Sequence, residues 1–217
     1  MELPPVPLAP RRPFYEISKR GFDIGVSALL LALLAPLWLL LALAIKLTSA
    51  GPIFYRWQVV GLGGRPFTGY KFRTMVVNAD ALKDQLLAAN EMSGPVFKIK
   101  RDPRITPVGR FLRKLSLDEL PQLWNVLKGD MSFVGPRPER PEFIAELTRQ
   151  IPFYGQRHVV RPGLTGWAQV RHRYGSSVDD AQEKLQHDLF YIKHMSFAFD
   201  LYIVLDTVKT VLVRGGS

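Results

Sequence analysis

The sequence predicts an α+β fold, mainly helical, in which a proline-broken membrane helix precedes a compact domain with one β-hairpin and amphipathic helices suited to a membrane interface. Three observations predict it. A 22-residue stretch without charge, Ile24 to Ile45, is bounded by Asp23 and Lys46. Residues 51–75 form two β-rich arms around Gly61, Gly63 and Gly64. Segments 77–90, 139–150, 178–194 and 196–216 repeat apolar residues at helical spacing.

Composition bounds what surrounds these elements. A chain of 217 residues holds one sizeable domain, or a domain and an anchor, and 47% hydrophobic with 22% charged residues is globular rather than disordered. The 29 basic against 19 acidic residues leave a net charge of +10, which calls for an anionic partner: nucleic acid, an anionic leaflet or a phosphorylated substrate. Cysteine is absent, which excludes disulfides and zinc–thiolate sites. His158, His172, His187 and His194 show no metal-ligand spacing. The organisation expected is a disordered proline-rich segment over 1–13, a membrane-inserted helix over 14–46, and a folded domain over 47–217 ending in an interfacial helix.

Taken in order, the apolar run comes first. At ~1.5 Å per residue it makes roughly 33 Å of helix, enough for a hydrocarbon core of about 30 Å. Its ten leucines favour insertion by about 3 to 6 kcal/mol, more than the ~3 kcal/mol a helix-interior proline costs. Pro36 removes one donor and leaves the Ala32 carbonyl without its partner, so a bend is expected at Ala35-Pro36. A kinked span and a re-entrant helix both satisfy this pattern. Arg11, Arg12, Lys19 and Arg20 before it, with Lys46, Arg56 and Arg65 after it, pull both flanks to the cytoplasmic side. The glycines of 61–64, lying between strands with no helix behind them, read as a turn rather than a phosphate loop. The 196–216 helix suits either a core or a membrane interface.

The stretch LSLDELPQLWNVLKGDMSFVGPRPE (115–139) places Asp118 and Glu119 side by side ahead of Pro121. Ser116 and Glu119 fit a capping box, and Asp118 fits an N-cap; both start a helix that runs through Val126. A carboxylate at a helix N-terminus is held ionised and sits where phosphates also bind, the state that nucleophilic chemistry requires. Lys71, Arg73, Arg110, Arg113, Arg137 and Arg161 are each set beside glycine, proline or aromatic residues, and Pro136 and Pro138 fix the backbone that presents Arg137.

These motifs, KRGFDI before the broken apolar helix, then YKFRTM, SLDELPQLWNVLKGDMSFVGPRPE and RPGLTGWAQV, resemble the bacterial sugar transferase family, the monotopic polyprenol-phosphate phosphoglycosyl transferases, over about residues 14–214. The resemblance implies transfer of a sugar 1-phosphate from a UDP-sugar to undecaprenyl phosphate with release of UMP, an early membrane step in exopolysaccharide or O-antigen synthesis. It also implies a re-entrant anchor in the bacterial inner membrane with the catalytic domain on the cytoplasmic face. Asp118 would be the nucleophile and the ligand of Mg2+, with Glu119 assisting. Lys71, Arg73, Arg113, Arg137 and Arg161 are then the candidate phosphate holders. Anionic lipids are expected partners, a homodimer is admissible, and nucleic acid is not expected, because no reading motif accompanies the charge. A non-catalytic scaffold would not need the acidic pair among arginines. Two departures stand out. Longer members carry an N-terminal bundle of membrane helices, so no regulation through that module is expected. Ala35 stands where members often have serine, so no side-chain hydroxyl is available to recap the bend. The stretch 171–197 looks like members that use glucose or galactose donors.

Overall fold

A computed structural model describes residues 12–85, 99, 102–171 and 177–214. Its first two helices, α1 (Pro13–Leu33) and α2 (Ala35–Thr48), meet at an angle of 61°. Among the described residues no single helix is long and apolar enough to cross a membrane, whereas the bent pair together has the length and composition to do so. The break falls at Leu34 (φ −88°, ψ 1°), one residue before the predicted dipeptide, so Pro36 sits in the first turn of α2 where its missing N–H costs nothing. The Leu34 N–H turns toward the carbonyls of Leu30 and Ala32, and so recaps the bend in place of a side chain.

The polar half of α1 is not a mere flank. Arg20 donates to the carbonyls of Val126 and Leu127, both at 2.7 Å, and caps the C-terminal end of α5 (Gln122–Lys128). Asp23, buried, accepts from the Ser132 hydroxyl at 3.1 Å and the Phe133 N–H at 3.0 Å. Lys19 pairs with Asp200 at 2.7 Å. Arg12 donates to the carbonyls of Lys193 and Met195. Arg12 and Pro13 therefore belong to the fold rather than to a disordered segment; residues 1–11 lie outside the described residues.

The predicted hairpin is β1 (Phe54–Val60) paired antiparallel with β2 (Pro66–Phe72) across a 3-10 turn at Leu62–Gly64. Its two faces differ. Phe54 and Phe72 face Trp38 of α2, with ring centroids 5.4 to 6.3 Å apart, while Tyr55, Trp57 and Lys71 occupy the other face. The free edge of β2 is closed by Asn125 of α5, whose amide donates to the Thr68 carbonyl and accepts from the Tyr70 N–H.

Helices α3 (Ala79–Gln85), α4 (Pro107–Lys114), α6 (Pro141–Gln150), α7 (Trp167–Arg171), α8 (Val178–His194) and α9 (Phe197–Arg214) complete the helical layer. Of the helix predicted over 77–90, residues 86–90 lie outside the described residues, as do 172–176 of the stretch compared with glucose and galactose users. A second, parallel pair joins β3 (Ser132–Val134) to β4 (Gly163–Thr165), and was not predicted because three-residue strands carry no readable period. The main core gathers Leu123, Val126, Met131, Val134, Tyr191 and Ile203. A second core, Leu41, Ile45, Phe72 and Leu112, fastens α2 to α4 and the hairpin; burying each such side chain contributes about 1.5 to 3 kcal/mol. Helix α9 buries Ile203 in the core, as one sequence reading expects, while Leu201, Leu205 and Val208 face outward, as do Leu39, Leu40, Leu43 and Leu47 of α2.

Candidate active site

Where a helix was predicted from Ser116, the chain instead makes a 3-10 turn, Leu117–Glu119, and α5 begins only at Gln122 with Pro121 ahead of it. Ser116 is the reason. It lies in the left-handed region (φ 54°, ψ 20°) and makes no side-chain cap, so neither the capping box nor the Asp118 N-cap forms. A non-glycine residue in that region costs on the order of 1 kcal/mol, and such strain concentrates at functional sites.

Glu119 is clasped. Lys71 and Arg137 both reach its Oε1 at 2.6 Å, and the second Arg137 nitrogen lies 3.4 Å from Oε2. Burial opposes the charge, but Arg137 and then Lys71 outweigh it and hold the carboxyl well below the usual carboxylate range. A carboxylate so held is a poor base at neutral pH and acts as the fixed anion that positions two cations. Asp118 is the opposite case. It is buried, and burial raises its pKa above the ordinary value, opposed chiefly by the charge of Lys71 and then of Arg113, with Glu119 pushing it further up. Among the described residues no side chain donates a hydrogen bond to it; its own backbone N–H does.

Both acids line a cavity of about 530 Å³ whose wall also carries Lys71, Arg73, Arg113, Arg137 and Arg140. The predicted phosphate holders are placed unequally. Lys71 and Arg137 sit on Glu119. Arg113, half-buried with its Nε on the Thr74 hydroxyl at 2.9 Å, faces Asp118. Arg73 reaches the cavity wall, but its terminal nitrogens donate to the Ser49 and Ala50 carbonyls and tie β2 to the end of α2; its Nε is buried without a partner among the described residues. Arg161 is not brought here. Its Nε donates to the Gly129 carbonyl at 3.0 Å, beside a smaller cavity next to α1. Arg110 is exposed and outside the lining.

Sequence reading missed three lining residues, Tyr55, Trp57 and Arg140. The signal was the aromatic at i and i+2 of β1, which puts both rings on the face that carries Lys71. For a divalent cation, no group of three or more acidic or histidine side chains converges among the described residues. Glu119 has both oxygens engaged, so Asp118 is the one carboxylate of the pair free to hold a cation. That fits a magnesium ion bound mostly by water and substrate oxygens.

A family model described as bacterial sugar transferase matches residues 14–214. The chain is 45% identical over 205 residues to the UDP-N-acetylgalactosamine-undecaprenyl-phosphate N-acetylgalactosaminephosphotransferase of Aeromonas hydrophila, covering 94% of this chain and 46% of that protein. It is 46% identical over 206 residues to the UDP-glucose:undecaprenyl-phosphate glucose-1-phosphate transferase of Caulobacter vibrioides, covering 93% and 72%. It is 39% identical over 210 residues to the exopolysaccharide production protein ExoY of Sinorhizobium fredii, covering 95% and 90%. The chain thus spans less than half the length of the Aeromonas relative and most of the length of the other two.

Proposed function

The chain belongs to the bacterial sugar transferase family, and from that premise we propose that it transfers a hexose 1-phosphate from a UDP-sugar to undecaprenyl phosphate and releases UMP. The observation that carries this is the contrast between the acids: one unclasped carboxylate, Asp118, in a cavity ringed by cations, beside a neighbour whose charge is fully used in arranging them.

Two anionic phosphates repel each other, and a covalent relay lets each arrive alone. An Asp118 oxygen attacks the sugar-bearing phosphorus of the donor. The P–O bond to UMP breaks, its electron pair leaves on the UMP phosphate, and an aspartyl-phosphosugar remains. A phosphate oxygen of undecaprenyl phosphate then attacks the same phosphorus, the acyl–phosphate bond breaks, and the Asp118 carboxylate is restored. Arg113 and Lys71 face the attacked group and offset the charge that gathers on it. Magnesium, held by Asp118 with substrate oxygens and water, would supply neutralisation of the diphosphate.

We propose a re-entrant placement, and the way the helix pair is held supports it. The start of the apolar run is fastened to the domain through Arg20 and Asp23, and its end through Leu41 and Ile45. The turn of 61° at the break suits two arms that slope into the headgroup–acyl boundary and return to the face they entered. The outward leucines of α2 and α9 then lie against lipid, and the basic flanks favour the cytoplasmic side of the inner membrane.

The test is release of UMP by detergent-solubilised protein given undecaprenyl phosphate, Mg2+ and a panel of UDP-glucose, UDP-galactose and UDP-N-acetylgalactosamine. Intact mass should show one added hexose phosphate when the acceptor is withheld. No UMP from any donor would refute the proposal.

A further inference from the structure

Phosphate chemistry accounts for the charged side of the cavity and leaves its other wall unexplained. The cavity's uncharged lining includes Tyr55 and Trp57 of β1, whose rings lie parallel, 6.0 Å between centroids and 11° between planes. Both are half-buried, and they sit on the face of the hairpin turned away from Trp38 and Phe72, so the aromatic core beneath α2 does not use them.

The Trp57 ring is laid flat by a specific device. Its register partner on β2 is Gly69, and a Cβ built on Gly69 would lie 2.9 Å from the indole. Any other residue at 69 would lift the ring off the strand. Two further contacts fix the wall. Arg140 donates to the Tyr55 hydroxyl at 2.7 Å, and the Lys71 ammonium lies 5.1 Å from the Trp57 ring centre. Lys71 also holds Glu119, so one side chain touches both the flat wall and the carboxylate cluster.

We infer that Tyr55 and Trp57 form a stacking platform for the planar nucleobase of the donor, with Lys71 marking where base gives way to phosphate; this rests on the UDP-sugar reading above. A flat π-face backed by a glycine and bordered by a cation suits a heteroaromatic ring. The Tyr55 hydroxyl, already accepting from Arg140, keeps its own proton to donate to a base carbonyl. A sugar ring is the competing occupant, and UMP separates the two because it carries the base and no hexose.

The experiment measures binding of UMP and of ribose 5-phosphate by titration calorimetry, with detergent-solubilised parent, Trp57→Leu, Trp57→Phe and Tyr55→Leu. Stacking on one aromatic is worth about 1 to 3 kcal/mol, so Trp57→Leu should weaken UMP about five- to a hundredfold and leave ribose 5-phosphate unchanged. Trp57→Phe should restore most of the loss, and Tyr55→Leu should weaken UMP less. Equal losses for UMP and ribose 5-phosphate in Trp57→Leu, or unchanged UMP binding with a raised KM for the UDP-sugar, would overturn the platform while leaving the transferase reading intact. A parent that neither binds UMP nor releases it from any UDP-sugar would overturn both.

Discussion

The clasp on Glu119 can be tested by perturbing its two ends together. Arg137 sends two nitrogens to the carboxylate, at 2.6 and 3.4 Å, from a backbone fixed by Pro136 and Pro138. Lysine at 137 keeps the charge and loses the fork. A charge-assisted hydrogen bond contributes about 1.5 to 3 kcal/mol, but the Arg137 side chain is 43% exposed, and screening brings the pair down to about 1 kcal/mol. In a chain of this size that is about 2 to 4 °C of Tm. Glu119→Gln removes the same contact from the other end and also leaves Lys71 unpaired, so it should cost somewhat more.

The assay is a cycle of four proteins, parent, Arg137→Lys, Glu119→Gln and the double variant, each followed by thermal unfolding in detergent and by UMP release. If the pair is the working unit, the second substitution adds little to the first in either measurement, leaving a coupling of about 1 kcal/mol. Each single variant should lose about tenfold in kcat/KM, because Lys71 and Arg137 no longer hold their places. Additive losses in Tm and in kcat/KM, or full activity in Arg137→Lys, would refute the reasoning and leave Arg137 as a source of positive potential only.

Asp118→Asn should abolish UMP release and the hexose-phosphate mass adduct while Tm holds or rises, since the buried carboxylate is disfavoured where it stands; residual turnover above a trace would remove Asp118 as nucleophile. His158, buried beside Arg157 and Glu139, has its pKa lowered to about 4 by burial and then by the Arg157 charge. Because the folded value lies below the free imidazole's, the stability it supports is complete above about pH 6.5 and falls by about 3 kcal/mol as pH drops to about 4. His158→Gln should flatten that stretch of a pH–Tm curve, and an unchanged slope would argue against it. The chain has no cysteine, so Ser18→Cys and Thr48→Cys, both exposed ahead of and behind the bend, can be labelled singly in membrane vesicles. A re-entrant pair gives both the same sidedness, and opposite sidedness means a span.

Much of the scaffold could be read from local pattern. Glycines between alternating arms located the hairpin, Pro36 located the bend to within a residue, and helical spacing found α6, α8 and α9. What could not be read depended on distant partners. Lys19, Arg20 and Asp23 look like charges at the mouth of an apolar helix, yet they engage Asp200, the end of α5 and the start of β3. The α5 end that Arg20 caps closes on Gly129 at φ 98°, a left-handed position. Sequence shows that such a helix end exists, but not that an arginine 106 residues away supplies its last two donors.

The site divides the same way. That Asp118 and Glu119 matter could be read from their setting among cations; that they differ could not. On a regular helix, too, neighbouring acids point about 100° apart, so spacing alone does not show which cations each one meets. Beyond the left-handed Ser116 the turn is 3-10, and of the two acids that line the cavity Glu119 meets Lys71 and Arg137 while Asp118 meets no side-chain donor among the described residues. Likewise Arg73 and Arg161 carry the same charge as Arg113, but the terminal nitrogens of Arg73 are taken up by the Ser49 and Ala50 carbonyls, and Arg161 stands outside the cavity with its Nε on the Gly129 carbonyl. Net charge counts all three as phosphate binders, whereas donor accounting sets Arg73 apart and position sets Arg161 apart. By that measure Arg113, which lines the cavity with Asp118 and among the described residues has only its Nε engaged, on Thr74, is the arginine best placed to receive the transferred phosphate.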